Sequence, residues 1–226
     1  MEAGLLLDCM TGKEEVLVQG KSFFTGRLSG RAFVLSICGV GKTNAAHGTT
    51  LLIERFRPSQ IISIGVAGAY PSSGLEIGDI ALAEQEVHGD EGLLLGESFR
   101  GMDALGLPLV RVEGKEFYNR FPLSIPPALE AVRKGVFITV SSCTGTIKRG
   151  KEMEELFQGI CENMEGAAVA QICTLSGIPC TEIRGISNLI EDRDGSPLNK
   201  KDLILASEKV QEFLLRLIEG HHIFPP

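Results

Sequence analysis

Short apolar runs of the kind that form β-strands alternate with segments of helical periodicity along most of this chain. The strand-like runs lie at 4–7, 32–37, 60–66, 79–84, 136–141 and 180–187. The runs at 32–37 and 60–66 lack polar alternation, as expected for strands covered on both faces by crossover helices. The pattern therefore predicts an α/β fold in a single domain over 1–226, with a central mixed β-sheet flanked by helices.

Helical spacing of apolar residues marks three segments between and after these runs. It predicts helices over 45–56 and 165–177, and a long terminal helix over 203–218 with one apolar face. The stretch 92–130, with Gly, Pro and charged residues, is the most loop-like part of the chain. We interpret it as a connection across a dimer contact or as a lid.

Composition and charge exclude several classes of function. The net charge of -7 and the pI near 5.2 argue against a nucleic-acid partner, because contacts to phosphates need a basic surface. The six cysteines include no CxxC pair and the four histidines are scattered, so we expect neither a metal nor a cofactor. No apolar stretch approaches the roughly 18 residues of a membrane span, and the run at 5–7 is too short for a signal peptide. We therefore expect a cytoplasmic protein without membrane contact.

A glycine-rich turn at 39–42 resembles part of a nucleotide-binding P-loop. That motif needs a glycine five residues before its Gly-Lys pair, where this chain has Ser36. A strand, a glycine-rich turn and a helix still form a good cradle for an anion or ligand, because free backbone N–H groups point out of the turn. Gly39 and Gly41 are equally well explained by a tight turn that needs positive φ. An NTPase is disfavoured.

Four segments together resemble the nucleosidase branch of the purine nucleoside phosphorylase superfamily. They are "GVGKTNAAHGTTLLIERFRP" (39–58), "IISIGVAGAYPSSGLEIGDIALAEQE" (61–86), "ENMEGAAVAQIC" (162–173) and "EIRGISNLIEDRD" (182–194). With "HGDEG" (88–92), the combination is most similar to futalosine hydrolases. The resemblance implies cleavage of an N-glycosidic bond in a small nucleoside substrate, here release of hypoxanthine from futalosine in menaquinone biosynthesis. It also implies a homodimer or a higher homo-oligomer.

Three alternatives stay open beside this hypothesis. They are a methylthioadenosine or adenosylhomocysteine nucleosidase, a purine nucleoside phosphorylase, and a nucleoside-binding sensor that has lost turnover. The first differs in the base it releases, the second in using phosphate as the nucleophile, and the third in having no turnover.

The "NMEG" segment carries the clearest chemistry. A carboxylate at a helix start, Glu165, can accept hydrogen bonds from two vicinal hydroxyls of a ribose. Met164 offers a flexible apolar surface to the sugar ring, and Asn163 is included in the predicted substrate site. The alternative for Glu165 is a first-turn acid favoured by the helix dipole.

The "EIRGISN" segment brings polar groups to the end of a strand, where open α/β sheets bind ligands. In related nucleosidases an Asp that protonates the purine stands at the position of Asn188. A neutral amide instead donates a hydrogen bond to N7 or O6 of a 6-oxopurine, which favours hypoxanthine over adenine. The resemblance implies that Arg184 holds the nucleophilic water, with a structural salt bridge as the alternative. Ser187 would support the loop that binds the base.

The family places a catalytic Glu shortly after the first strand. Here Glu14 and Glu15 are the candidates for the base that activates water, with Glu14 preferred. The alternative for either residue is an exposed acid at the start of a helix.

Further residues complete the predicted site. Val66 stands where related enzymes have a hydroxyl residue, and this favours water over phosphate as the nucleophile. The predicted substrate-binding set also includes Ala67, Gly68, Thr144 and Gly145, the last two in a purine-lining segment (139–146). Arg193 is the candidate to face the benzoate of futalosine, with a solvated loop charge as the alternative.

Overall fold

The computed structural model describes residues 3–96, 98–129 and 131–220. Five α-helices follow in chain order: α1 Gly4–Cys9, α2 Lys42–Phe56, α3 Ile147–Phe157, α4 Gly166–Ser176 and α5 Lys200–Glu219. The first seven strands are β1 Thr11–Val18, β2 Lys21–Leu28, β3 Arg31–Ser36, β4 Ile61–Ala69, β5 Ile80–His88, β6 Gly92–Leu95 and β7 Ser98–Gly101. The remaining six are β8 Val110–Val112, β9 Lys115–Phe117, β10 Arg120–Pro122, β11 Arg133–Thr139, β12 Gly159–Asn163 and β13 Cys180–Leu189.

The central sheet contains six strands in the order β10-β5-β11-β12-β4-β13. Strand β5 pairs in parallel with β11 and β4 pairs in parallel with β13, whereas β12 runs antiparallel to β4. Strand β13 also pairs antiparallel with β5, so the sheet curls until its strands close on one another. The prediction of an α/β fold with a mixed central sheet is confirmed, as are the strands expected at 60–66, 79–84, 136–141 and 180–187.

Helices cover the sheet on both sides. Helix α5 packs on β13 and β4 and buries Leu214, Ile218 and their neighbours against Leu82 and Ile183. Helices α2 and α4 pack against each other on another part of the sheet. The three helices expected at 45–56, 165–177 and 203–218 are confirmed, with ends that differ by a few residues.

Two expectations for the amino-terminal part are wrong. The run 4–7 is not a buried strand but the start of helix α1, whose Leu6 is buried. Gln211 of α5 accepts hydrogen bonds from the backbone N–H groups of Leu5 and Leu6. The run 32–37 does form a strand, β3, but it belongs to a separate antiparallel sheet, β1-β2-β3, and is only half-buried. Four apolar residues are too few for periodicity to separate a helix turn from a strand.

The stretch 92–130 is more ordered than a loop. It forms two small hairpins, β6-β7 and β8-β9, and then β10, which adds to the edge of the central sheet beside β5. Phe121 of β10 is fully buried and anchors this stretch. Over residues 3–96, 98–129 and 131–220, no helix is long and apolar enough to cross a membrane.

Candidate active site

A cavity of about 1080 Å³ opens where β4, β12 and β13 meet the start of α4 and the glycine-rich turn. Most residues of the predicted site line it: Val66, Ala67, Gly68, Thr144, Asn163, Met164, Glu165, Arg184, Ser187, Asn188 and Arg193. Away from these polar groups the cavity continues between β3 and β4 over an apolar surface that includes Phe33, Leu35 and Ile62. The strand ends therefore bring four separate sequence segments to one site, as open α/β sheets generally do.

Glu165 is the residue before the first turn of α4 and lies between two hydrogen-bond donors. Its Oε1 accepts from the backbone N–H of Gly41 at 2.9 Å, and its Oε2 faces Arg184 Nη1 at 3.3 Å. About a fifth of the side chain is exposed, on the cavity side. The alternative of a first-turn acid does not describe Glu165, which precedes the first turn as the N-cap residue and makes no capping hydrogen bond to its own helix.

The glycine-rich turn thus binds a carboxylate of the protein itself. Gly39 and Gly41 have φ of 86° and 96°, in the left-handed region that favours glycine. This conformation exposes the Gly41 N–H, which then points at Glu165. The sequence left two explanations open for these glycines, a tight turn that needs positive φ and a cradle for an anion. Both describe this turn.

Arg184 is buried, and its guanidinium N–H groups face several acceptors. Its Nε donates to Glu182 Oε1 at 2.7 Å, and its Nη1 faces the Val66 carbonyl and Glu165 Oε2, each at 3.3 Å. Burial lowers the pKa of Arg184, but the carboxylates of Glu182 and Glu165 more than offset this, so the pKa is raised. A Cβ on Gly65 would collide with Nη1, which explains the glycine there. Arg184 therefore makes the salt bridge and also lines the cavity.

Asn188 and Ser187 line the cavity near the end of β13. The Ser187 hydroxyl lies 2.9 Å from Asn188 Oδ1 and 3.2 Å from the Ala67 carbonyl, and it donates its one proton to the nearer acceptor, Oδ1. With Oδ1 occupied, the amide nitrogen is the group of Asn188 that can donate to a ligand. Gly68 lies beside it, and a Cβ at that position would stand 2.8 Å from Nδ2.

Asn163 is a structural partner of Glu165. Its Oδ1 accepts from the backbone N–H groups of Glu165 and Gly166 at 2.9 and 2.7 Å. The amide caps the start of α4, and its Nδ2 donates to Glu86 at 2.5 Å. Asn163 therefore belongs to the site as the residue that supports Glu165 and Gly166.

Glu162 is a cavity residue that the sequence did not reveal as one. Its Oε1 accepts from the Thr144 backbone N–H at 2.7 Å, and its Oε2 accepts from the Thr144 hydroxyl and from Tyr70. Burial, and then the charge of Glu162, raises the pKa of Tyr70 well above its ordinary value. Glu162 thus holds the loop of Thr144 against β12. Gly145 does not line the cavity, but its carbonyl accepts from Arg193 N at 3.0 Å.

Glu14 and Glu15 do not reach the site. Both are exposed on β1, where they pair with Thr25 and Phe24 of the separate sheet. The expectation that one of them activates water does not fit the structure, because the strand that carries them lies outside the cavity. Within the described part of the chain, the acids that line the cavity are Glu162 and Glu165, and both are hydrogen-bonded.

Two further acids, Glu86 and Glu182, lie fully buried behind the cavity. The sequence contained a signal for one of them. Residues two apart on a strand share a face, so Glu182 and Arg184 could have been recognised as an ion pair. Glu86, on β5, has no such local partner.

The comparisons with known proteins agree with this geometry. A family model described as "Phosphorylase superfamily" matches residues 2–219. A 5′-methylthioadenosine/S-adenosylhomocysteine nucleosidase of Geobacillus thermodenitrificans is 35% identical over 192 residues, covering 83% of this chain and 80% of that protein. A protein of the same name from Halalkalibacterium halodurans is 29% identical and covers 91% of this chain and 92% of its own.

Solved structures show the same fold. The nucleosidase of Neisseria meningitidis in complex with methylthio-immucillin-A superposes with a TM-score of 0.80 at 23% identity, covering 97% of this chain and 94% of its own. The nucleosidase of Streptococcus pyogenes with 5-methylthiotubericidin also gives 0.80, at 25% identity, and covers 97% and 92%. The chain belongs to the phosphorylase superfamily. It is a nucleosidase, an enzyme that hydrolyses the N-glycosidic bond of a nucleoside.

Replacing Arg184 by Met should destabilise the fold, because Glu182 would stay buried without its cation. Removing one partner of a buried ion pair costs about 3 kcal/mol or more, and urea denaturation at neutral pH measures the loss. Arg111→Met breaks the exposed ion pair with Glu116 and is the matched control, which should leave the free energy of unfolding nearly unchanged. Equally small effects of the two variants would contradict the importance of the buried pair.

Proposed function

We propose that this chain hydrolyses the N-glycosidic bond of futalosine and releases hypoxanthine and dehypoxanthine futalosine, a step of menaquinone biosynthesis. The observation that carries the proposal is the amide of Asn188 on the wall of the cavity. Its Oδ1 accepts from Ser187, and its Nδ2, which has one long contact to the Leu189 carbonyl, keeps a hydrogen that a ligand can accept. A donor at this point suits N7 or O6 of a 6-oxopurine. An ionised carboxylate would repel O6, and an amide has no acidic proton to transfer to adenine.

The ribose would lie against Met164 and Glu165. The Glu165 carboxylate is held by the Gly41 N–H and Arg184 and lines the cavity. Two acceptor oxygens at this point suit the 2′- and 3′-hydroxyls. The same negative charge stabilises the oxocarbenium-like transition state of glycosidic cleavage.

Water is the proposed nucleophile. Val66 offers no hydroxyl to a phosphate, and its carbonyl is already bonded to Arg184. The Arg184 guanidinium is also engaged by Glu182 and Glu165, so its charge is largely neutralised before any anion arrives. We assign Arg184 to orienting the water, and we assign the role of base to neither Glu14 nor Glu15.

The substituent at the 5′ position would extend past the ribose. Arg193 lines the cavity, and its backbone is tied to Gly145. A cation here suits the benzoate carboxylate of futalosine. Assembly as a homodimer or higher homo-oligomer stays a prediction from the family resemblance, and a cytoplasmic location stays a prediction from the sequence.

A second candidate is a 5′-methylthioadenosine/S-adenosylhomocysteine nucleosidase. The observation in its favour is the name of the curated relatives, up to 35% identical over most of the chain. By name these relatives support this candidate more than futalosine hydrolysis, whereas the chemistry of Asn188 supports a 6-oxopurine. The two candidates differ in one measurable product, the free base.

The test is incubation of the purified protein with futalosine, inosine and 5′-methylthioadenosine, each with and without phosphate. We expect hypoxanthine from futalosine at the same rate in both buffers, with a free sugar product, detected by chromatography. Faster release of adenine from 5′-methylthioadenosine would establish the second candidate. A strict requirement for phosphate would instead identify a phosphorylase.

Asn188→Asp should lower the kcat/KM for futalosine by about 10² or more, because one well-placed donor in a dry site contributes about 3 kcal/mol at the transition state. Asn199→Asp is the matched control. It makes the same change of charge at the N-cap of α5, where the side chain caps the helix and Asp serves equally well. Wild-type turnover of futalosine by Asn188→Asp would remove Asn188 from the base site.

Glu165→Gln should lower kcat/KM by about 10² while the protein stays folded, since each charge-assisted hydrogen bond to a hydroxyl contributes about 1.5–3 kcal/mol. A 2′-deoxy substrate should lose less from this substitution than the ribonucleoside, because one of the two contacts is already absent. Normal turnover by a variant that melts at a much lower temperature would make Glu165 a structural residue.

A further inference from the structure

A pair of carboxyl groups lies behind the cavity and is not part of its wall. Glu86 on β5 and Glu182 on β13 are both fully buried. They meet over Gly166, at the start of α4, where an added Cβ would collide with Glu86 Oε1 and with both carboxyl oxygens of Glu182. The glycine leaves the room that the two acids fill.

The hydrogen bonds around the pair leave one oxygen without a donor. Glu86 accepts from Asn163 Nδ2 at 2.5 Å and from the Thr139 hydroxyl at 2.8 Å. Glu182 Oε1 accepts from Arg184 Nε. Glu182 Oε2 is buried and has no partner if both acids are ionised. Its neighbour is the carboxyl group of Glu86, which can donate only if it carries a proton.

The charges around the pair also indicate that one of the two acids carries a proton. Arg184 is the cation of this cluster, and it already faces two carboxylates, Glu182 and Glu165. A third ionised acid, at Glu86, would leave an uncompensated negative charge in the interior, which is strongly unfavourable. Two carboxyl groups in contact avoid this by sharing one proton.

We propose that Glu86 and Glu182 share one proton and act as a positioning pair for Glu165. One arm runs from Glu182 through Arg184 to Glu165 Oε2. The other runs from Glu86 through the Asn163 amide to the Glu165 backbone N–H. Both arms therefore end on Glu165, one at its side chain and the other at its backbone N–H. The effect on catalysis rests on the proposed function, whereas the shared proton does not.

The pKa directions agree with the geometry. Burial, and then the charge of Glu182, raises the pKa of Glu86 well above its usual range. Burial also raises the pKa of Glu182, although Arg184 opposes the shift. The other titratable groups close to the pair are Glu165, just before α4, Cys161 of β12 and Cys180 at the start of β13.

The shared proton has a consequence for stability. An acid whose pKa is raised on folding stabilises the protein fully below its unfolded pKa, and the contribution is lost as pH rises towards the folded pKa. The wild type should therefore become less stable from weakly acidic to neutral pH through this pair. Glu86→Gln, which mimics the protonated acid, should weaken that pH dependence.

Infrared spectroscopy of the free protein tests the proton without any substrate. A buried protonated carboxyl group gives a C=O band that shifts in D₂O, and we expect one at neutral pH in the wild type. Glu86→Gln should remove it. Glu182→Gln should remove it as well, because Glu86 alone would then ionise against Arg184. The matched control is Glu84→Gln, an exposed acid on the same strand, which should leave the band unchanged.

Kinetics on whichever nucleoside the wild type cleaves tests the positioning role. Glu182→Gln should lower kcat/KM about tenfold or more, since it weakens a charge-assisted contact to Arg184. Glu86→Gln keeps a neutral group on the Asn163 arm and should lower kcat/KM less than Glu182→Gln does at neutral pH. The wild type should lose kcat/KM at alkaline pH as the pair loses its proton, and this variant should lose less.

Each result bears on a different part of the proposal. Absence of the band in the wild type, or its persistence in Glu182→Gln, would overturn the shared proton. An unchanged kcat/KM and pH profile in both variants would overturn the positioning role. If the wild type cleaves no nucleoside, the proposed function fails while the infrared result still decides the state of the pair.

Discussion

The ion pairs of Arg184 are the interaction on which the rest of the site depends. A buried guanidinium must be neutralised within the protein, and here Glu182 does so from the same strand and Glu165 from the start of α4. The pairs therefore join β13 to α4. They fix the direction of the Glu165 carboxylate, and Arg184 also contacts the Val66 carbonyl of the neighbouring strand β4. Without this cation the two carboxylates that it neutralises would repel each other.

Glycine makes this concentration of charge sterically possible. Gly65 leaves room for the guanidinium, Gly166 for the two buried acids, and Gly41 adopts the conformation in which its N–H reaches Glu165. The last of these explains why the glycine-rich turn resembles a nucleotide-binding loop. Both present backbone N–H groups to an anion, but here the anion is a side chain of the protein.

Membership of the phosphorylase superfamily and the choice of substrate rest on different evidence. The superfamily is shown by matches that extend along almost the whole chain. The purine that leaves depends on very few groups, above all the amide of Asn188 and its hydrogen bond to Ser187. Overall similarity averages over hundreds of positions, so it constrains the fold far more than it constrains the released base.

The sequence by itself determined the fold class, four of the six strands of the central sheet and three of the helices, because local periodicity reports burial. It also identified the cavity residues in the "NMEG" and "EIRGISN" segments, since strand ends and helix starts are where polar groups converge. Tertiary structure decided the rest. It placed Glu14 and Glu15 on a separate exposed sheet and made 4–7 a helix. It brought Glu86 against Glu182 across the closed sheet. The environment of a buried charge is set by residues remote in sequence, and no local pattern records which strands will meet.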